Sequence, residues 1–562
     1  MTVPGQTTPS DTAGPAASAA QAVVDGPAAA AAPVAAAGGR HALLVATGIF
    51  LSRIAGLVRQ RVFAHYFGQS DAGDAFNAAF KIPNVLQNLF GEGVLSASFI
   101  PVYSNLLARG EHAEARRVAS VVGCLLAAVT SVLVLIGVLV TPVLVDVIAP
   151  GFEGDKRDLT IVLVRILFPG TGLLVLSAWC LGILNSHRQF FLSYTAPVLW
   201  SIAMIAGMLI FGARRDQQGL AVALAWASIA GSILQLAIQV PPVLRVAGGL
   251  RPSLDLASTG ARTVVRNFAP VFVGRGVVQI SSYVDSILAS FLPSGAVTAL
   301  ANAQTLYTLP VSLFGMAVSA SELPAMSSVI GAKDEVAAGL RLRLQRGLRR
   351  IAFFIVPSAM ALVALGDVIA AALFQTGRFS HADAIWVWGI LAGSSVGLLA
   401  TTLGRLYAST YYALHDTRTP LRYATLRVLL TTSLGYLFSI PLPPLLGIDP
   451  KWGVAGLTVS AGLAGWVEFA LLRRTLHARI GTVAMSRSYL ASLWGAGIVA
   501  AALGWTAKSV GASLAPIPLA MIVLAPYGVA YFGVTFALGV EESRAIVGRL
   551  GGRIGSLARR GR

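Results

Sequence analysis

The chain has 562 residues, 56% of them hydrophobic and 12% charged, with a mean hydropathy of +0.74. Soluble domains carry about 25% charged residues, so this composition excludes an ordinary soluble protein and points to a polytopic α-helical membrane protein. The net charge of +18 would direct a soluble chain to nucleic acid; here most Lys and Arg fall in short loops, as the positive-inside rule explains, and no nucleic-acid partner is expected.

Residues 1–40 are rich in Ala, Pro and Gly and lack a charged start leading into an apolar core, so they read as a disordered tail rather than a signal peptide. A membrane span needs about 20 apolar residues. Six candidates, at 42–66, 75–107, 117–149, 159–185, 190–212 and 219–244, form an N-terminal lobe over 41–245. Two more, at 266–292 and 296–329, open a C-terminal lobe within 246–332. Segment 333–350, KDEVAAGLRLRLQRGLRR, is basic and amphipathic and reads as a helix on the inner membrane surface. Spans at 351–375, 382–413, 421–444 and 453–476 complete the lobe over 351–480. Spans at 488–510 and 515–538 stand apart in 481–540, and 541–562 is a basic tail. Cys124 and Cys180 lie in apolar spans, so neither a disulfide nor a metal site is expected.

Loop charge orients these spans. Arg116, Arg117, Arg188, Arg341, Arg346, Arg418 and Arg479 all fall on the side shared with the termini, and the opposite loops carry few cations. Both termini are therefore expected in the cytoplasm. An internal repeat supports the division into lobes. Leu89-Phe90-Gly91 recurs as Leu313-Phe314-Gly315, and His187 and His415 sit in comparable loops. The fold expected is all-α: about 14 transmembrane helices in two pseudo-symmetric six-helix lobes plus two C-terminal helices.

Charges inside the spans mark a polar interior. An ionisable group at the bilayer centre costs roughly 3 kcal/mol on insertion scales, so such groups face a bundle interior or a wet cavity. The first two spans carry Arg53, Arg59, Arg61, Asp74, Lys81 and Glu92. Arg presents a planar fork of donors suited to phosphate oxygens, so an anionic cargo is expected. The plainer reading pairs Arg53 and Arg59 with Asp74 and Glu92. Pro83, Gly91 and Gly93 should make the second span irregular, and Gly56 leaves room for a backbone or ligand to approach. Arg275 and Asp285 lie in span seven and Glu322 in span eight, either as binding or coupling groups or as structural pairs.

SRIAGLVRQRVFAHYFG, DAFNAAFKIPNVLQNLFGEGVLSASFIPVY, ALFQTGRFSHAD and YYALHDTRTPLRYA resemble the MviN/MurJ family of lipid II flippases, within the multidrug/oligosaccharidyl-lipid/polysaccharide exporter superfamily. The resemblance runs from about residue 42 to 540. It implies two lobes around a cationic cavity and movement of undecaprenyl-pyrophosphate-linked muropeptide (lipid II) to the outer leaflet of the bacterial cytoplasmic membrane. It implies that Arg53, Arg59, Asp74, Lys81 and Glu92 bind this cargo. Gln87 and Gln304 stand where members of the family often have Arg, and Arg275, at a similar depth to Gln304, is the expected substitute.

A flippase for another polyprenyl-pyrophosphate-linked glycan is the nearest alternative. A membrane enzyme acting on lipid pyrophosphates is the alternative of another class, and the spacing of the acidic residues argues against it. No cofactor and no metal are expected. Coupling to the membrane potential or to a monovalent cation stays open, with Asp285 as a candidate ligand. The partners expected are lipid II, membrane lipids and the cell-wall synthesis machinery.

Overall fold

The computed structural model describes residues 39–255, 258–329 and 332–546, and every long element among them is an α-helix. Apolar runs without water must satisfy their backbone groups internally, which is why these segments become helices. In the N-terminal half they are α1 (Gly39–Phe67), α2 (Asp71–Phe90), α3 (Glu92–Ser98), α4 (Ile100–Ala108), α5 (His112–Leu139), α6 (Thr141–Ile148), α7 (Gly154–Ser186), α8 (Phe190–Phe211) and α9 (Gln217–Val246). In the C-terminal half they are α10 (Thr259–Ser290), α11 (Ala296–Pro310), α12 (Ala317–Ser327), α13 (Lys333–Phe374), α14 (His381–Ala413), α15 (Arg418–Ser439), the single turn α16 (Leu442–Leu445), α17 (Gly453–Ile480), α18 (Arg487–Val510) and α19 (Pro516–Ala537). The expectations for the two tails fall largely outside the described residues.

Ten helices are long and apolar enough to cross a membrane among the described residues. Four more, α1, α2, α10 and α15, run in the same bundle and carry Arg59, Lys81, Asp285 and Arg427. Together they fit the fourteen spans expected. Within the first lobe α9 packs on α7 and α8, α1 on α8, and α2 on α7. Within the second, α14 packs on α13 and α17, and α15 on α17. Helices α18 and α19 pack on each other and lean on α13.

α10 belongs to both lobes. Val264, Phe268 and Phe272 at its start pack against the first lobe, with Phe268 and Phe272 against Phe90. Leu288 and Ala289 at its end sit in a buried cluster made mostly by the second lobe, with Leu288 beside Gly435 of α15.

The repeat appears as matched irregularities. Helix α2 stops at Gly91, and at the corresponding Leu313-Phe314-Gly315 the chain makes a π turn, Val311–Met316, between α11 and α12. Arg188 and His415 are the non-glycine residues with left-handed backbone among those described, at φ 61° and 59°. They follow α7 and α14, the fourth span of each lobe.

Two local expectations differ from the structure. Of the residues expected to make the second span irregular, Gly91 does interrupt it, with a further break at Phe99, whereas Pro83 lies inside an unbroken α2. The basic segment 333–350 is helical but is continuous with the next span in the 42-residue α13. Its apolar stripe, Leu340, Leu344, Leu348 and Ile351, is buried in the second lobe's core, so protein rather than membrane surface receives it.

Candidate functional site

At one end of the bundle the lobes are tied together. Asp74, one turn into α2, is fully buried, and its carboxylate accepts four hydrogen bonds. Lys156 Nζ donates at 2.7 Å from the first lobe. Gly295 N, Thr298 N and Thr298 Oγ1 donate at 2.8 Å from the start of α11 in the second. An anion there also meets the positive end of the α11 dipole. Gly295 adopts φ +87°, and a Cβ on it would lie 2.9 Å from Gln69, so the close approach of the lobes requires glycine.

Further ties flank this one. Gln60 Nε2 donates to Asn302 Oδ1 at 2.8 Å, and Asn77 Nδ2 to Thr298 Oγ1 at 3.2 Å. Arg61 donates to the carbonyls of Ala372 and Leu373 at 2.6 and 2.9 Å, capping the last turn of α13. His65 Nδ1 and Thr376 Oγ1 are 2.9 Å apart. Lys81 donates to Ser286, and Tyr283 donates to the Lys81 carbonyl at 2.9 Å.

Arg59 lies eight residues from this end of α1, about 12 Å at 1.5 Å per residue. Its guanidinium stacks 4.4 Å over the Trp200 ring and approaches Met204 Sδ at 3.9 Å. No carboxylate lies within ion-pair distance of it among the described residues. It lines a cleft of about 350 Å³ with Gln60, Asn77, Phe80 and Trp200. A desolvated guanidinium with aromatic support and no counter-ion has donors to spare for an anion. A second cleft, of about 250 Å³, shares Phe80 and is lined by Asn84, Gln87, Thr171, Ser228 and Ser232.

The remaining sequence candidates are spread more widely. Arg53 is exposed on α1, and open space lies beside Gly56. Lys81 faces Ser286 and interacts electrostatically with Asp285. Gln304 is half-buried on α11. Glu322 lies 4.0 Å from Arg343, away from the tied end. The side chains of Glu92 and Arg275 lie outside the described residues.

Sequence reasoning missed Trp200, and it missed Arg427 and Glu468, which pair at 3.3 Å between α15 and α17. The last two satisfy the rule that singled out Arg59, an ionisable group inside an apolar span. No grouping of His, Cys, Asp and Glu suited to a metal occurs among the described residues.

Comparisons with known proteins agree with one another. The family described as "Lipid II flippase MurJ" matches residues 63–525. The lipid II flippase MurJ of Burkholderia cenocepacia is 31% identical over 520 residues, covering 89% of this chain and 98% of that protein. The probable lipid II flippase MurJ of Rhizobium tropici is 31% identical over 76% of this chain and 79% of its own. Among solved structures, a lipid II flippase MurJ in an inward closed conformation matches with a TM-score of 0.71 at 22% identity, covering 88% of this chain and 99% of the other. An inward-facing multidrug transporter of the MATE family matches with a TM-score of 0.60 at 16% identity, over 76% of this chain and 96% of the other. These two likenesses bear on the fold alone.

Proposed function

The chain belongs to the lipid II flippase MurJ family, a family of transporters rather than enzymes, and from that premise we propose that it moves lipid II across the bacterial cytoplasmic membrane by alternating access through an arginine-bearing cavity. The observation that carries this reading is Arg59, a guanidinium without a carboxylate partner, stacked on Trp200 in a cleft between apolar helices. A pyrophosphate supplies the missing anion. The lipid tail stays in the bilayer while the head group occupies the cavity.

The tied end is the outer gate in this reading, and both termini lie in the cytoplasm. Asp74 then acts by holding the gate closed, and Arg59 by gripping cargo. Arg53, Lys81 and Glu92 extend the cationic and polar lining, and Arg275 with Gln304 supplies the second lobe's share. Membrane potential acts on any net charge moved, at about 2.3 kcal/mol per charge per 100 mV, which makes it a natural coupling force. Cell-wall synthases are the partners that would consume the exported precursor.

The test is complementation of a cell depleted of its own lipid II flippase, with lipid II accessibility to an external cleaving agent as readout. The chain should restore growth and accessibility together. Restored growth with lipid II still protected would point to another cargo.

A further inference from the structure

Four ionisable side chains form a row of alternating charge that passes from one lobe into the other. They are Lys81 on α2, Asp285 on α10, Arg427 on α15 and Glu468 on α17. Lys81 donates to Ser286, the neighbour of Asp285. Asp285 interacts electrostatically with both Lys81 and Arg427. Its Oδ1 is buried and accepts no hydrogen bond among the described residues. Arg427 Nε lies 3.3 Å from Glu468 Oε2, with no accompanying hydrogen bond described, and about a third of the Arg427 side chain, 34%, is exposed.

Asp285 and Lys81 do not travel together. Leu288, one turn further along α10, packs beside Gly435 on α15 of the second lobe. Lys81 belongs to α2 of the first. When the lobes part at the tied end, Lys81 is drawn away from a carboxylate whose Oδ1 is buried. A buried carboxylate stripped of its cation is strongly disfavoured. Arg427 shares the second lobe with Asp285, already acts on it, and is held by Glu468 through one loose contact.

We propose that Arg427 is a positioning residue for transport, exchanging Glu468 for Asp285 as Lys81 withdraws. Asp285 thereby keeps a cation in both states, and the tied end can open. Glu468, 16% exposed at its side chain, reaches water and so tolerates the loss of its partner. The inference rests on the alternating-access reading above.

The test reads closure of the tied end in native membranes. His65→Cys and Thr376→Cys are joined by a short thiol cross-linker, with single-cysteine variants controlling for Cys124 and Cys180. Cross-linking this pair should stop transport; if transport continues, alternating access itself fails, and the failure is not that of Arg427. With transport stopped by the cross-link, Arg427→Gln should raise the cross-linked fraction at least about twofold. In an Asp285→Asn background the same change should do nothing, because there is no carboxylate left to serve. An equal effect in both backgrounds, or none in either, overturns the proposal. Glu468→Gln frees Arg427 and should lower the cross-linked fraction. An unchanged or higher fraction overturns the proposal too, and this variant decides the matter alone should Arg427→Gln fail to reach the membrane.

Discussion

Arg59 and Asp74 sit on consecutive helices and carry opposite charges, yet their surroundings differ. Asp74 has four donors aimed at it and no capacity left. Arg59 has an aromatic face and a thioether, neither of which neutralises it. A charge-assisted phosphate contact contributes about 1.5–3 kcal/mol, so Arg59→Ala should weaken cargo binding roughly ten- to a hundredfold at normal membrane levels. Arg59→Lys should retain part of the function, since it keeps the charge and loses the fork. Trp200→Leu removes a cation–π contact of about 0.5–2 kcal/mol and should weaken binding by roughly two- to thirtyfold. Binding of lipid II to purified protein, scored beside complementation, checks all three. Arg59 is legible in the sequence because an Arg inside an apolar span is improbable without a role. The pairing of Arg427 with Glu468, 41 residues on, is not legible, because tertiary packing alone decides which distant charges meet.

At the scale of elements, α2 shows what local reasoning captures. Proline and glycine in the second span signal irregularity, and the helix is indeed interrupted. Pro83 leaves the helix unbroken, and the interruption falls at Gly91, where the backbone leaves the helix in an extended conformation. A Cβ there would lie 2.1 Å from the Gln87 carbonyl oxygen. Gly91→Ala should therefore cost about 1–3 kcal/mol and lower the melting temperature in detergent. Gly495, in α18, has nothing within 4 Å of its added Cβ, so Gly495→Ala should be neutral or slightly stabilising. Equal melting temperatures for the two variants would contradict this account. Segment 333–350 teaches the converse. Its amphipathic pattern is plain in the sequence, but the pattern cannot say whether the apolar stripe meets lipid or protein, and here Leu340, Leu344 and Leu348 meet the lobe.

At the scale of the whole molecule, the two lobes were legible from a repeat of short motifs, and the structure returns that repeat as paired distortions at Gly91 and Gly315 and at Arg188 and His415. The closed state of the lobes was not legible, because it depends on contacts such as Asp74 with Thr298, which lie far apart in sequence. Orientation and closure can be measured together. With the termini inside, a cysteine at Ser380 should react with an impermeant thiol reagent in intact cells, and one at His112 should not. Asn302, fully buried behind the tied end and bonded to Gln60, should be nearly silent as Asn302→Cys. Asp74→Ala then leaves the donors of Gly295 and Thr298 without their acceptor, while Lys156 keeps Asp71 at 2.9 Å, and unsatisfied buried donors favour the arrangement in which water reaches them. Labelling at Asn302→Cys should rise severalfold in that background while labelling at Ser380→Cys stays constant. Asp74→Asn keeps an acceptor and should fall between. Labelling at His112→Cys from outside would invert the orientation, and an Asp74→Ala variant with Asn302→Cys still silent would show that the flanking ties, Arg61 to α13 above all, hold the lobes closed without it.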